Sequence, residues 1–285
     1  MNFLLERLRH FNELVMFQHT VFALPFILIA MIVGAGGWFG WKLLFLGLLC
    51  AVSARNFAMA FNRLVDRDID AKNPRTRTRP SVDGRVSVRE MTAFILLNGA
   101  LFVLSAFWIN DLAFALSFPI LLILALYSVM KRFSFLAHLF LGVSLALAPI
   151  AGIVAIKASV PLWSVFLSLG VLFWVAGFDV LYSLQDREFD KAAGLHSIPV
   201  YFGESRAIWI ARGFHLITLI FWLLFVRTAP VGSLMLWAWA CCAIMLFYEH
   251  YLVSRNFENI PKAFFTVNGY LGILFLLFCV MDVAL

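Results

Sequence analysis

Two clusters of acidic residues lie far apart in a chain of 285 residues, of which only 13% are charged. The first cluster contains Asn62, Asp66 and Asp70, each four residues from the next, and the second contains Asp186 and Asp190 at the same spacing. Residues four apart project from one side of a helix. Hard oxygen ligands with few nitrogen or sulfur ligands favour magnesium over zinc. The two clusters therefore predict a magnesium site.

The second cluster extends toward the preceding apolar segment. Asp179 and Tyr182 stand before Asp186 at spacings of three and four residues, which continues the same helical stripe. At about 1.5 Å per residue, Asp179 lies roughly 10 Å deeper than Asp186. Acidic residues at such a depth in a membrane helix are costly and usually functional. We therefore count Asp179 and Tyr182 among the candidate residues.

Basic residues accompany both clusters. Crowded carboxylates repel one another unless positive charge lies between them, and a diphosphate bridged by magnesium ions would bind carboxylates and bases together. The candidate bases are Arg55, Arg75, Arg77, Arg79, Lys131 and Arg132. Either acidic cluster alone is typical of a solvated helix end, and Lys131 with Arg132 alone is typical of a membrane orientation signal. The combination favours a magnesium–diphosphate site.

The elements that must position these residues are membrane helices. The chain is 63% hydrophobic and 13% charged, whereas soluble domains contain about 25% charged residues. At about 20 apolar residues per crossing, we predict an all-α polytopic protein in the lipid bilayer. Its apolar runs do not alternate as those of a membrane β-barrel do. The nine predicted spans are residues 17–35, 39–61, 91–109, 112–130, 135–156, 162–185, 207–226, 232–253 and 263–284.

The distribution of basic residues predicts the orientation. With the N-terminus inside, the long connections 62–90 and 186–206 are cytoplasmic. Of the basic residues, only Lys42, Lys157 and Arg227 then lie on the outer side. An excess of Lys and Arg in cytoplasmic loops is the rule for membrane proteins. We therefore predict an inner-membrane protein whose N-terminus and active site face the cytoplasm. The net charge of +6 is then explained by the basic residues that orient the protein in the membrane, and we expect no nucleic-acid partner.

The remaining features of the sequence are structural. The first 15 residues combine charges with apolar residues at helical spacing, which predicts an interfacial helix. The four cysteines fall in apolar spans without a CxxC spacing, so neither zinc nor a disulfide framework is indicated. Each long cytoplasmic connection follows an even-numbered span. We therefore expect one domain, 1–285, with two weakly related halves at roughly 1–156 and 157–285.

The paired motifs Asn62-xxx-Asp66-xxx-Asp70 and Asp179-xx-Tyr182-xxx-Asp186-xxx-Asp190 resemble those of the UbiA superfamily of intramembrane aromatic prenyltransferases. The likeness covers nearly the whole chain. It implies nine transmembrane helices around a central cavity, capped by two cytoplasmic loops and open laterally to a polyprenyl tail. It also implies that the magnesium and diphosphate site comprises Asn62, Asp66, Asp70, Asp186 and Asp190. By the same resemblance, Tyr127, Lys131 and Arg132 contact the diphosphate, while Asp179 and Tyr182 face the cavity.

The resemblance implies magnesium-dependent transfer of a polyprenyl group from polyprenyl diphosphate to a small aromatic acceptor in quinone biosynthesis. Asp179 or the released diphosphate would take the ring proton. The expected acceptor is 4-hydroxybenzoate or a related carboxylated aromatic. The stretch from Gln18 to Pro25 departs from the charged turn of many members acting on 4-hydroxybenzoate. Aminodeoxyfutalosine, in an alternative menaquinone pathway, is therefore a second expected acceptor.

The alternative from another functional class is a cation-coupled membrane transporter, in which intramembrane acids form an ion path. Such proteins usually hold their sites near the bilayer midplane. Here nearly all acidic residues cluster at one end of the spans, and the outer half holds only Asp111 and Asp282. This distribution favours the enzyme.

Overall fold

The computed structural model describes residues 2–16 and 22–285, and among them it contains helices but no strands. The helices are α1 (Asn2–Val15), α2 (Leu24–Ala35), α3 (Trp41–Val65), α4 (Arg67–Asp70), α5 (Val88–Ile109), α6 (Asp111–Met130), α7 (Ala137–Lys157), α8 (Leu162–Ser183), α9 (Arg187–Ala192), α10 (Ile198–Phe202), α11 (Glu204–Thr228), α12 (Leu234–Arg255), α13 (Ile260–Lys262) and α14 (Asn268–Ala284). A 3₁₀ turn, Leu184–Asp186, joins α8 to α9, and a π-helical turn, Ala263–Val267, precedes α14.

Eight helical segments in the described part of the chain are long and apolar enough to cross a membrane. They coincide with the second to ninth predicted spans, so the all-helical, multi-pass prediction is confirmed. The first predicted span, 17–35, is represented by α2, which has 12 residues. At 1.5 Å per residue α2 is about 18 Å long, shorter than the bilayer core of about 30 Å. Residues 17–21 of that span lie outside the described residues, as do Gln18, His19, Thr20 and Val21 of the stretch that bears on the acceptor.

Both acidic clusters are divided between a long helix and a short one. α3 ends at Val65, and Asp66 adopts φ −90° and ψ 10°, which separates α3 from α4. α8 ends at Ser183 and is followed by the 3₁₀ turn before α9 begins. Neither stripe therefore lies on one continuous α-helix. Asp66 and Asp70 nevertheless keep their backbone N–H bonds to the carbonyl oxygens of Asn62 and Asp66, at 2.9 and 2.7 Å, and Asn62 donates from Nδ2 to Asp66 Oδ2 at 2.9 Å.

α8 is the central helix of the bundle and packs between α7 and α11. A Cβ atom on Gly142 of α7 would lie 2.4 Å from the carbonyl oxygen of Leu172, so only glycine permits this approach. Gly170 of α8 makes the same allowance for the ring of Trp222 on α11. The tight packing fixes α8, which carries Asp179 near its carboxyl end.

The N-terminal helix α1 is joined to the loop and helix that follow the first acidic cluster. Glu13 pairs with Arg85 at 2.6 Å, and Arg7 pairs with Glu90 at 2.7 Å. Leu14 is buried in a small apolar cluster with side chains of α3 and α5. Ion pairs and apolar packing thus hold α1 against the end of the bundle that carries this cluster.

Candidate active site

The first acidic cluster is enclosed by the loop that follows it, residues 71–87. Asp70 is buried, and both of its carboxylate oxygens accept from Nη1 of Arg79 at 2.7 Å. Thr76 donates from Oγ1 to the carbonyl oxygen of Asp70 at 3.0 Å. Arg67 donates from Nε to the carbonyl oxygen of Ser81 at 2.8 Å. Charge-assisted hydrogen bonds of this kind are stronger than neutral ones, so they fold the loop back over the cluster.

The same loop reaches the second acidic cluster. Arg75 donates from Nε to Oδ1 of Asp186 at 2.9 Å and from Nη2 to Oδ2 of the same carboxylate. Asn73 donates from Nδ2 to Asp186 at 3.4 Å. Arg75 also donates from Nη1 to the hydroxyl of Tyr182 at 2.9 Å. The two clusters therefore meet at one end of the bundle, although Arg75 and Asp186 are 111 residues apart.

Lys131 and Arg132 follow α6 and supply two more cations. Nζ of Lys131 lies 3.2 Å from Oδ2 of Asp190, which is 2% exposed. Nη2 of Arg132 lies 2.6 Å from the carbonyl oxygen of Val65 and 3.4 Å from the carboxylate of Asp66. Every aspartate of the two motif clusters thus has a basic partner. The pairs are Asp66–Arg132, Asp70–Arg79, Asp186–Arg75 and Asp190–Lys131.

Most of these side chains line a polar pocket of about 200 Å³. A second cavity of about 190 Å³ is lined mostly by apolar side chains of α2, α3, α5, α6 and α7. Tyr127 and Leu141 line both spaces, so the polar pocket and the apolar cavity adjoin. This arrangement suits a ligand with a charged head and a long apolar tail.

The structure brings most of the predicted site residues together. Those that line the polar pocket are Asn62, Asp66, Asp70, Arg75, Tyr127, Lys131, Asp179, Asp186 and Asp190. Arg132 and Tyr182 do not line the pocket, but Arg132 pairs with Asp66 and Tyr182 accepts from Arg75, and both of these partners line it. Arg55 lines the apolar cavity instead, and its Nη2 donates to the carbonyl oxygen of Met16 at 3.2 Å. The individual roles assigned to these residues stay predictions.

Three polar residues at the site escaped the sequence patterns, whereas Arg79 was already a candidate base. Arg63 lines the pocket and donates from Nη1 to Oδ1 of Asn62 at 3.3 Å. It directly follows Asn62 in the sequence, so the four-residue spacing of the acidic cluster did not indicate it. Asn73 lies in a loop without periodicity. His138 is fully buried with Nδ1 2.7 Å from Oδ2 of Asp179. A single histidine at the start of an apolar span gave only a weak signal.

The pKa values of Asp66 and Lys131 are both raised, but for different physical reasons. Burial, together with the carboxylate of Asp70, raises the pKa of Asp66, and Arg132 only partly opposes this effect. At Lys131 burial acts to lower the pKa, but the carboxylates of Asp190, Asp179 and Asp186 outweigh it, and the pKa is raised. Lys131 therefore keeps its positive charge firmly, whereas ionised Asp66 lacks enough positive charge nearby.

The residues fit a magnesium ion that binds together with a phosphate ligand. Among the described residues, no three His, Cys, Asp or Glu side chains converge closely enough to hold a metal by themselves. The oxygen donors of the two motifs nevertheless line one pocket. Magnesium commonly binds one or two carboxylates plus substrate phosphates and water, rather than a complete protein cage. The donor chemistry therefore fits a magnesium–diphosphate ligand.

The sequence model of the UbiA prenyltransferase family matches residues 23–278. The chain belongs to this family. This UbiA-family protein is 27% identical over 246 residues to a 4-hydroxybenzoate octaprenyltransferase of Vibrio campbellii, with 86% of each chain covered. It is 31% identical to a 4-hydroxybenzoate octaprenyltransferase of Albidiferax ferrireducens, with 85% of this chain and 82% of that one covered.

Solved structures of UbiA homologues share the fold. The apo UbiA homologue from Aeropyrum pernix K1 matches with a TM-score of 0.84 and 30% identity, covering 93% of this chain and 98% of that chain. A UbiA homologue from Archaeoglobus fulgidus, bound to GPP and Mg²⁺, matches with a TM-score of 0.80 and 23% identity, covering 97% of this chain and all of that one. The predicted family, fold and enzyme class are confirmed: the UbiA-family protein is a multi-pass membrane prenyltransferase, which disfavours the transporter alternative.

Proposed function

We propose that this protein transfers a polyprenyl group from a polyprenyl diphosphate to a small aromatic acceptor in quinone biosynthesis, with Mg²⁺ as cofactor. The proposed acceptor is 4-hydroxybenzoate or a related carboxylated aromatic. The observation that carries the proposal is the polar pocket that adjoins the apolar cavity at Tyr127 and Leu141. A prenyl diphosphate has a charged head and an apolar chain that fit these two spaces. The names of the curated relatives support the acceptor.

The ion pairs of the pocket suit an exchange of partners when the diphosphate binds. Magnesium, when bound, would draw negative charge from the departing diphosphate. If Asp186 and Asp190 serve the metal, Arg75 and Lys131 lose their present partners and can bind phosphate oxygens instead. An arginine fork suits two oxygens at once. The same side chains then stabilise the pocket both before and after the substrate binds.

The apolar cavity accounts for the chain of the donor. Along α3 it is lined from Gly47 to Met59, a rise of about 18 Å at 1.5 Å per residue. Apolar walls bury the chain and keep water from the reacting carbon, where it would capture an allylic cation. The cavity therefore serves both binding and selectivity.

The chemistry requires few groups of the protein. The allylic C–O bond breaks with its electron pair on the diphosphate, and the aromatic ring attacks the resulting cation. Loss of the ring proton restores aromaticity. Asp179 lines the pocket about two helical turns deeper than Asp186, and it is our candidate for accepting that proton.

The decisive experiment uses purified protein in lipid nanodiscs, labelled octaprenyl diphosphate and separate reactions with 4-hydroxybenzoate and aminodeoxyfutalosine. We expect a prenylated 4-hydroxybenzoate product by mass spectrometry, and its loss in excess EDTA. Product from aminodeoxyfutalosine alone would overturn the proposed acceptor. Full turnover in EDTA would overturn the magnesium requirement.

We further propose that the protein lies in the inner membrane with its N-terminus and polar pocket facing the cytoplasm. The excess of basic residues at the pocket end of the bundle supports this orientation. Single cysteines placed at Arg77 and at Gly232, in a variant lacking the four native cysteines, would test it. We expect a membrane-impermeant maleimide to label position 232 from the periplasm and position 77 only after lysis; the opposite pattern would refute the orientation.

A further inference from the structure

A histidine of α7 connects the deepest acid of the pocket to the second motif loop. His138 is fully buried, and its Nδ1 lies 2.7 Å from Oδ2 of Asp179. On the other side of the ring, Nε2 accepts from the backbone N–H of Ile198 at 3.2 Å. Ile198 begins α10, eight residues after Asp190. The imidazole therefore bridges α8 and the chain that follows α9.

The backbone contact determines which nitrogen of His138 carries the proton. A peptide N–H can only donate, so Nε2 must present its lone pair to Ile198. The proton of the neutral ring then resides on Nδ1 and is donated to Asp179. A doubly protonated ring would turn an N–H toward the N–H of Ile198 and lose this bond. The geometry thus selects a neutral His138 that donates to an acceptor oxygen of Asp179.

We propose that His138 is a positioning residue that holds Asp179 as a carboxylate, with Oδ2 engaged and Oδ1 available to accept the ring proton of the aromatic substrate. The proposal rests on the proposed function, in which Asp179 is the base. Asp179 lines the polar pocket, whereas His138 is buried behind it. A charge-assisted hydrogen bond at 2.7 Å stabilises the ionised acceptor and fixes its orientation.

His138 cannot relay the proton further. In the proposed step the ring C–H bond breaks, its electrons restore the aromatic ring, and the proton binds Oδ1 of Asp179. Transfer through the imidazole would require a lone pair on Nδ1 to receive the proton and an N–H on Nε2 to release one, but Nδ1 already carries the ring proton and Nε2 accepts from the N–H of Ile198. The proton must therefore leave Asp179 by way of the pocket. This separates His138 from the relaying histidine of a catalytic triad.

The same contacts join Asp179 to the second acidic cluster. The backbone N–H of Leu195 donates to the carbonyl oxygen of Asp190 at 2.8 Å, and that of His196 donates to the carbonyl oxygen of Lys131 at 2.8 Å. The short segment from Asp190 to Ile198 is therefore fixed at both ends. The position of His138, and through it that of Asp179, depends on this segment being in place.

Two isosteric substitutions separate the two bonds of His138. His138→Asn can keep a donor near the position of Nδ1, whereas His138→Gln can keep an acceptor near Nε2 and lose the donor to Asp179. With octaprenyl diphosphate and 4-hydroxybenzoate, we expect kcat of His138→Gln to fall at least about tenfold, the rate equivalent of one charge-assisted bond. We expect His138→Asn to remain near wild type. The KM values for octaprenyl diphosphate and Mg²⁺ should not change in either variant.

A ring-deuterated acceptor provides a kinetic isotope effect that a purely structural role of His138 would not change. We expect the ratio of rates for 4-hydroxybenzoate with ring hydrogen and ring deuterium to be larger in His138→Gln than in wild type, because proton removal becomes slower. An unchanged ratio, or equal losses in the Asn and Gln variants, would overturn the proposal.

The tautomer can be tested without turnover, which keeps this inference separate from the choice of acceptor. Wild-type protein labelled with ¹⁵N-histidine should show one resonance pair, absent from His138→Asn, of a neutral ring protonated on Nδ1. A signal protonated on Nε2, or on both nitrogens, would overturn the assignment even if transfer to 4-hydroxybenzoate is observed. If wild type fails to prenylate 4-hydroxybenzoate while the Nδ1–H tautomer is found, the proposed acceptor fails and the positioning of Asp179 stands.

Discussion

Replacing Asp66 by asparagine is expected to separate stability from activity. Burial and the charge of Asp70 raise the pKa of Asp66 despite the opposing Arg132. An acid whose pKa is raised on folding binds its proton more tightly in the folded state. Its ionised form therefore costs stability at neutral pH, and this cost is relieved as the pH falls through the folded-state pKa. Asparagine resembles the protonated form, so removal of the charge should not destabilise the protein.

The contacts of Asp66 set the size of the effect. Its ion pair with Arg132 spans 3.4 Å between side chains that are 21% and 31% exposed, and partly solvated pairs contribute about 0–1 kcal/mol. Arg132 keeps its 2.6 Å bond to the carbonyl oxygen of Val65, and asparagine can still accept from Asn62. One kcal/mol corresponds to about 2–4 °C in Tm at this size. If Asp66 serves the metal, kcat should fall about 10²–10³-fold, as for loss of one electrostatic contact in a transition state.

Asp68 provides the matched control. It lies in α4, two residues after Asp66 and 3.4 Å from the same Arg132, but its side chain is 68% exposed and it does not line the pocket. Asp68→Asn should therefore keep both Tm and kcat. Initial rates of prenyl transfer at saturating Mg²⁺ and thermal unfolding in nanodiscs would be measured for both variants. Wild-type kcat in Asp66→Asn, or equal losses in the two variants, would refute the metal role of Asp66.

Three further outcomes follow from the contacts of the pocket and the cavity. Arg75→Met removes the bonds to Asp186 and Tyr182 and should lower kcat/KM for the prenyl diphosphate about tenfold or more. Arg75→Lys should recover only part of the lost kcat/KM, and wild-type kinetics in Arg75→Met would contradict this prediction. Gly47→Leu should shorten the longest donor accepted, because a Cβ there would already lie 3.3 Å from Sδ of Met31 in the cavity wall; an unchanged product profile by mass spectrometry from mixed-length donors would count against the cavity as the tail site. The raised pKa of Asp66 means that protons compete with Mg²⁺, so the apparent KM for Mg²⁺ should rise as the pH falls, and a KM independent of pH would argue against this.

The membrane architecture could be predicted because its cause is local. A run of about 20 apolar residues can satisfy its backbone in lipid only as a helix, so α3, α5 and α6 follow from their own sequences. The ends of the helices were harder to predict. α3 ends at Val65, within the stripe from Asn62 to Asp70, and hydrophobic periodicity contains no sign of that break.

The composition of the site could be predicted, but its internal pairing could not. Spacing selected the aspartates because they recur with the helical period, while Asn73 and Arg79 lie in a loop whose shape depends on contacts with residues distant in sequence. For Arg55, the residue could be predicted as a candidate but its location could not. Its depth could be inferred from its place in a span, yet depth does not specify which cavity it lines. The division into halves at 1–156 and 157–285 stays a prediction.

The pairing of acids with bases has a consequence for how the site binds its substrate. Asp66, Asp70, Asp186 and Asp190 each already lie beside an arginine or lysine, and a magnesium diphosphate is itself close to neutral. If these aspartates bind the metal, binding of the magnesium diphosphate exchanges partners and leaves the charge of the pocket nearly unchanged, which would limit the electrostatic cost at the edge of the bilayer. A free diphosphate would meet carboxylates that repel it, and a free metal ion would meet Lys131 and Arg75. The two should therefore favour each other's binding by the same factor, and we expect the pocket to bind the magnesium salt of the donor more tightly than either component alone.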